Sequence, residues 1–184
     1  MTNYILNDHH HLTPEEKQWF VDKYTGYEHG PERKLEVEFN ETLPFSVTRK
    51  LVSVGKLMGL ALADTTIFIG KAGKFVEPHI DVFDYNGGRY PLPWRLSYFV
   101  QGGCPFHWWS PSPVVQENPY AEVVARSEII QTLDTRNTES AFIKTNVPHS
   151  VDMTYSKELR IVLSATYYFK KELTRPNWDD IVLP

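Results

Sequence analysis

The sequence has few of the features that mark several large classes of protein. Its single cysteine, Cys104, excludes an internal disulfide framework and is typical of a reducing compartment. It has no run of lysine and arginine, and its formal net charge of -4 argues against a nucleic-acid-binding surface. No segment reaches the ~18 uninterrupted apolar residues of a membrane span, and the first residues lack the basic and apolar regions of a signal peptide. We therefore expect a cytoplasmic protein that binds neither membranes nor nucleic acids.

A nucleotide-binding α/β fold is also not expected. The chain shows no strand–helix–strand rhythm and no glycine-rich phosphate loop. Its 184 residues are 41% hydrophobic and 14% aromatic, which is long and apolar enough to bury a core. We expect one domain over residues 1–184, in which an N-terminal helical and strand segment (1–64) supports a β core (65–170) followed by a tail (171–184).

Two helices are predicted before residue 65. The run Thr13-Pro14-Glu15-Glu16 has the residues of a helix start, so a helix is predicted over Pro14–Tyr24. Apolar residues at helical spacing predict a second helix over Val47–Lys56. The remaining N-terminal segments are predicted as an arm over residues 1–12 and a half-exposed strand over Lys34–Asn40.

From Thr65 onward, short apolar or alternating segments separated by glycine and proline predict roughly eight or nine strands. Strands after helices favour a closed or sandwiched β structure. Two segments rich in turn residues, Asp84–Trp94 and 110–120, are predicted as loops. Later strands are predicted over Arg95–Gln101, Pro105–Trp109, Ala121–Arg126, Glu128–Asp134, Ala141–Thr145, Val147–Val151 and Arg160–Phe169.

The run KFVEPHIDVF places a histidine and a carboxylate two residues apart. On an extended strand, His79 and Asp81 point to the same face and offer two coordination positions to a small divalent metal. The best candidate for a third ligand is His149 in KTNVPHSVD. A chain with seven histidines and 23 acidic residues is expected to contain one His-x-Asp pair by chance, so an ordinary strand histidine remains an alternative.

Arg160 opens the apolar run RIVLSATYYF. An arginine at the head of such a strand must reach solvent or find an anion. Its planar guanidinium suits a carboxylate, because it can bind both oxygens at once.

Two imidazoles and one carboxylate on one face of an octahedron suit Fe(II) and leave three coordination positions open.

The stretches PHID, NVPHSV and LRIVLS resemble the His-x-Asp…His…Arg signature of the Fe(II)/2-oxoglutarate-dependent oxygenases. The details VPHSV and the arginine strand resemble the branch that includes the aspartyl/asparaginyl and prolyl hydroxylases. The resemblance covers about residues 65–170. It implies a double-stranded β-helix (a jelly roll, as in cupins), with His79, Asp81 and His149 as the Fe(II) ligands and Arg160 as the partner of the 2-oxoglutarate C5 carboxylate.

One position departs from that pattern. Many members have serine or threonine two residues after the arginine, where this chain has Val162. The second residue that holds the C5 carboxylate is therefore open, and the candidates are Ser164, Tyr98 and Ser97.

Three residues are candidates for contact with the primary substrate. Arg89 and Tyr90 lie in the segment predicted as a loop directly after the metal pair, which favours a function over a plain surface loop. His107, in PFHWW, could line a pocket, although packing is the more common role of such a residue.

The function implied by the resemblance is that of a dioxygenase that uses Fe(II), 2-oxoglutarate and O2. We expect it to hydroxylate an amino-acid side chain in a peptide or a small metabolite, with succinate and CO2 as co-products. The alternatives are a β-sandwich or jelly-roll binding module without turnover, and a cupin-like metalloenzyme of another reaction type. The last would normally show a His-x-His cluster, and none lies around His79.

Overall fold

The computed structural model describes residues 2–8, 10–24, 35–36, 43–85, 88–91, 94–118 and 121–169. This part of the chain is mainly β, with helices α1 (Pro14–Tyr24) and α2 (Phe45–Leu57) and a 3-10 turn over Thr135–Asn137. The strands are β1 (Tyr4–Leu6), β2 (Leu35–Glu36), β3 (Leu60–Gly70), β4 (Phe75–Tyr85), β5 (Gly88–Pro91), β6 (Trp94–Gln101), β7 (Pro105–Trp109), β8 (Val114–Asn118), β9 (Ala121–Val124), β10 (Ile129–Asp134), β11 (Ser140–Lys144), β12 (His149–Asp152) and β13 (Arg160–Phe169). Among the described residues, no helix is long and apolar enough to cross a membrane.

Both predicted helices are confirmed. Helix α1 begins with a capping box, in which Thr13 N–H donates to Glu16 Oε2 at 2.8 Å and Glu16 N–H donates to Thr13 Oγ1 at 3.3 Å. Helix α2 tolerates Gly55 because it packs closely on β13 there: a Cβ on Gly55 would lie 3.0 Å from the Tyr167 ring. Gly55 thus allows the helix and the strand to pack closely.

The strands form two antiparallel sheets. The first has the order β1-β11-β6-β13-β3-β2, and the second has the order β10-β7-β12-β4-β9-β8, with β5 paired to β4. The chain passes repeatedly between them: β3, β6, β11 and β13 lie in the first sheet, whereas β4, β7 and β12 lie in the second. Strands that are distant in the sequence therefore become neighbours.

Two apolar clusters cover the two faces of the first sheet. One lies between that sheet and the helices, where Phe20 and Leu51 pack on Leu163 of β13. The other lies between the two sheets, where Val162 of β13 joins Phe106 of β7. Successive residues of β13 thus alternate between the helix side and the space between the sheets.

Three predicted segments differ from the structure. The N-terminal arm contains β1, which pairs with β11 at the edge of the first sheet. The predicted loop 110–120 contains β8, which pairs with β9, and the predicted loop Asp84–Trp94 contains the end of β4 and its partner β5. These strands are short or polar, and they form because a neighbouring strand satisfies their backbone groups. Most of the predicted strand Lys34–Asn40 and the tail 171–184 lie outside the described residues.

Candidate metal centre

The pairing of β4 with β12 brings the three predicted metal ligands together. His149 at the start of β12 lies directly opposite His79 in the register of the two antiparallel strands. Asp81 follows two residues later on the same face of β4, and its N–H donates to Thr145 O at 2.9 Å. That bond ties β4 to the segment that leads into β12.

The three side chains form a compact and buried donor set. One nitrogen or oxygen atom from each of His79, Asp81 and His149 lies within 4.8 Å of the others. Asp81 Oδ1 is 3.5 Å from His79 Nε2 and 3.9 Å from His149 Nε2. All three residues are buried, with exposed fractions of 6%, 3% and 3%. Two imidazoles and a carboxylate at this spacing are a donor set that suits a divalent transition metal.

Backbone carbonyls fix the tautomer of both histidines. His79 Nδ1 lies 2.7 Å from Glu77 O, and His149 Nδ1 lies 3.0 Å from Val147 O. Since a carbonyl oxygen only accepts, Nδ1 carries a proton in each ring, and in the neutral ring Nε2 is the nitrogen with a lone pair. The neighbouring Phe106 ring stacks on His149 with ring centroids 5.2 Å apart, which holds the ring plane in place. These partners of the ligands could not be identified from the sequence.

Sequence reasoning also missed Arg95. This residue lies on β6 in the opposite sheet, is 9% exposed, and places Nε 3.2 Å from Asp81 Oδ2. The contact is close enough for an ion pair but lacks the alignment of a hydrogen bond. A signal was available, because Arg95 begins RLSYFVQ in the same way as Arg160 begins its own apolar strand.

Arg160 lies between the sheets but contacts different residues. Its side chain interacts with the buried thiol of Cys104, and its Nε has no hydrogen-bond partner among the residues that the structure describes. Burial lowers the pKa of Arg160, an effect that Cys104 partly opposes, and burial likewise raises the pKa of the Cys104 thiol. In the described part of the chain no carboxylate pairs with Arg160, and an unpaired buried guanidinium is costly, so this part of the interior fits an anion.

The three candidates for the second residue that holds the C5 carboxylate lie on two different faces of the first sheet. Ser164 and Ser97 pair across β13 and β6, with their Oγ atoms 3.3 Å apart, on the face that carries Arg95. Ser164 lies four residues beyond Arg160, about 13 Å along the strand. Tyr98 points to the other side of β6, packs in the helix-side cluster, and donates from its hydroxyl to His10 O at 3.0 Å.

The candidate substrate residues lie in two places. Arg89 and Tyr90 are in β5, whose backbone pairs with the part of β4 that directly follows Asp81. His107 alternates with Phe106 and therefore faces away from the space between the sheets; its Nδ1 lies 2.8 Å from Thr132 Oγ1. The structure does not bring His107 to the metal ligands.

Comparisons with known proteins give structural likeness only. No model of a known protein family matches the sequence, and no curated protein matches it. The structure is similar to HygX from Streptomyces hygroscopicus with nickel and 2-oxoglutarate bound, at 10% identity over 90% of this chain and 82% of that chain, with a TM-score of 0.51. It is also similar to the epimerase SnoN in complex with Fe3+, alpha ketoglutarate and nogalamycin RO (16% identity, 90% and 78% coverage, TM-score 0.54). A third similar structure is apo ThoJ, a non-heme monooxygenase (14% identity, 90% and 73% coverage, TM-score 0.55). The chain shares its fold with these proteins.

Proposed function

We propose that the protein is a non-haem dioxygenase that requires Fe(II) and 2-oxoglutarate. The observation that carries this proposal is the buried set of His79, Asp81 and His149, whose donor atoms lie within 4.8 Å of one another. In their neutral form both imidazoles present Nε2 as the acceptor nitrogen, because each Nδ1–H is held by a carbonyl. The site thus needs no rearrangement of its tautomers to take up a divalent metal.

The proposed fold is the double-stranded β-helix. It is supported by the repeated passage of the chain between two antiparallel sheets and by the likeness to HygX and SnoN. Those two proteins hold nickel or iron together with 2-oxoglutarate. We treat residues 1–184 as a single domain, and the single cysteine supports a cytoplasmic location.

Arg160 is the proposed partner of the 2-oxoglutarate C5 carboxylate. It supplies a buried guanidinium whose Nε meets no hydrogen-bond partner within the described ranges of the chain. The apolar cluster between the sheets includes both Cys104, which contacts Arg160, and Phe106, which stacks on His149. One apolar cluster thus contacts both the arginine and a metal ligand, and apolar surroundings suit the two methylene groups between the charged ends of 2-oxoglutarate.

When bound, Fe(II) supplies the redox chemistry with which O2 and 2-oxoglutarate oxidise a C–H bond, releasing succinate and CO2. The residues of this chain bind and orient the reactants and exclude water from the site. We propose that the primary substrate is an amino-acid side chain in a peptide or a small metabolite. Arg89 and Tyr90 are the proposed substrate contacts, because β5 pairs with β4 directly after Asp81. Within the oxygenases, we propose that this chain is related to the branch of the aspartyl/asparaginyl and prolyl hydroxylases.

The deciding experiment is an anaerobic titration of the purified protein with Fe(II) and then with 2-oxoglutarate. The expected result is the weak visible charge-transfer band of a chelated 2-oxoglutarate, and its loss in His149→Ala. His107→Ala is the matched control, since this histidine faces away from the site and should leave the band unchanged. A wild-type protein that shows no band and binds no 2-oxoglutarate would favour a non-catalytic β-sandwich binding module.

A further inference from the structure

The two oxygens of the Asp81 carboxylate face different partners. Oδ1 lies toward the imidazole nitrogens, 3.5 Å from His79 Nε2 and 3.9 Å from His149 Nε2. Oδ2 lies 3.2 Å from Arg95 Nε. One oxygen is thus directed to the metal position, whereas the other faces a guanidinium that comes from the opposite sheet.

Arg95 is itself held in place. Its Nη1 donates to Thr66 Oγ1 at 3.3 Å. Thr66 lies on β3, two strands away from β6 in the first sheet. The guanidinium carbon of Arg95 lies 5.4 Å from the centre of the Phe68 ring, within range of a cation–π contact. Both Arg95 and Asp81 are at least nine-tenths buried, so their attraction is weakly screened by solvent. The guanidinium therefore has a defined position relative to the carboxylate.

We propose that Arg95 is a positioning residue that keeps Asp81 a one-oxygen metal ligand. By pairing with Oδ2, the guanidinium prevents this oxygen from turning toward the metal and leaves only Oδ1 for coordination. The coordination position that a two-oxygen carboxylate would take up stays free for the cosubstrate. This inference rests on the metal centre of the proposed function, but it does not require that turnover has been shown.

The test compares the effects of replacing two buried arginines, Arg95 and Arg160, on the binding of a metal ion. Co(II) binding is measured by titration of the wild-type protein, Arg95→Met and Arg160→Met, without 2-oxoglutarate. Loss of a partner that orients a metal ligand typically weakens metal binding by about 10–100-fold, and this is the result expected for Arg95→Met. Arg160→Met removes an equally large buried cation that contacts Cys104 rather than Asp81, and Co(II) affinity should then change by less than about threefold.

Two further measurements separate positioning from a general structural role. The visible d–d spectrum of bound Co(II) reports the number and arrangement of its ligands, and it should change in Arg95→Met while it stays the same in Arg160→Met. In the Asp81→Asn background, Arg95→Met should weaken Co(II) binding no further, because residues that act through one another are not additive. The additional effect there should be within about twofold.

Each outcome decides the question. Unchanged Co(II) affinity and an unchanged spectrum in Arg95→Met, or additive losses with Asp81→Asn, would overturn the role of Arg95. If Arg95→Met does not fold, Arg95→Gln removes the charge but keeps a polar side chain; a wild-type affinity and spectrum in that variant would equally overturn it. A wild-type protein that binds Co(II) but not 2-oxoglutarate would refute the proposed dioxygenase while the inference on Arg95 is still tested. A wild-type protein that binds no metal would refute both.

Discussion

His79 and His149 face each other across neighbouring antiparallel strands, with their ring centroids 4.4 Å apart. The pairing of β4 with β12 therefore brings together the two histidines of the candidate metal site, and the i, i+2 spacing on β4 adds the carboxylate of Asp81. The three side chains belong to the second sheet, whereas Arg95, which pairs with Asp81, belongs to the first sheet. The geometry of the candidate site thus depends on how the two sheets pack.

Metal binding should stabilise the wild-type protein against unfolding. A ligand that binds only the folded state at about 100 times its Kd adds about 2.7 kcal/mol to the free energy of unfolding. Co(II) should raise the melting temperature of the wild type and of His107→Ala, but not that of His149→Ala. Calorimetry with and without metal measures this. An equal upward shift in His149→Ala would show that the metal binds elsewhere.

Arg160→Gln should weaken 2-oxoglutarate binding to the metal-loaded protein. Hydrogen bonds to charged groups contribute about 1.5–3 kcal/mol each, so an affinity loss of roughly tenfold to a hundredfold is expected. Arg126→Gln is the control, because that exposed arginine pairs with Glu77 on the surface and should have no effect. Isothermal titration under nitrogen gives both affinities. Equal affinities in the wild type and Arg160→Gln would remove Arg160 from the cosubstrate site.

Gly102→Ala should destabilise the fold more than Gly59→Ala. Both glycines have positive φ, 65° and 71°. A Cβ on Gly102 would lie 2.5 Å from Leu159 O and 2.8 Å from Arg160 Cα. A Cβ on Gly59 would have no atom of the described residues within 4 Å. Gly59→Ala should therefore cost only the ~1–2 kcal/mol of the left-handed conformation, and Gly102→Ala should cost clearly more. Urea unfolding of both variants measures the difference, and equal losses would contradict the close approach.

Glu16 should make stability depend on pH in the acid range. Burial disfavours its charged form, but hydrogen bonds from Lys50 and from the Thr13 N–H outweigh it and hold the pKa of Glu16 below its usual 4.5. Because the pKa is lowered in the folded state, the contribution is present above pH 4.5 and is lost as the pH falls through the folded value. Glu16→Gln should thus be less stable by roughly 1–2 kcal/mol at pH 7, and the difference should shrink below pH 4.5.

The control for this pH effect is Asp22→Asn. Asp22 is exposed and accepts a hydrogen bond from Gln18 within α1. Its replacement should leave the free energy of unfolding nearly unchanged at both pH values. A difference between Glu16→Gln and the wild type that stays constant from pH 7 to pH 3 would show that the Glu16 charge is not the cause.

Local sequence determined the elements whose signals lie within a few residues. The capping box predicted the start of α1, and the boundaries of β7 and β13 agree with those predicted from apolar runs. The spacing of His79 and Asp81 placed both side chains on one strand face, which the structure shows. These features follow from backbone geometry that repeats every two or four residues, so no information from distant segments is required.

Only the tertiary structure decided which face of the buried strand β6 points toward the candidate metal site. Strand β6 is buried on both faces, by the helices on one side and by the second sheet on the other, so its sequence RLSYFVQ does not alternate. Tyr98 therefore looked as suitable for the site as Ser97, although it lies on the helix side, and Arg95 was missed. Edge strand β1 forms because the distant strand β11 pairs with it, and this pairing leaves no local signal.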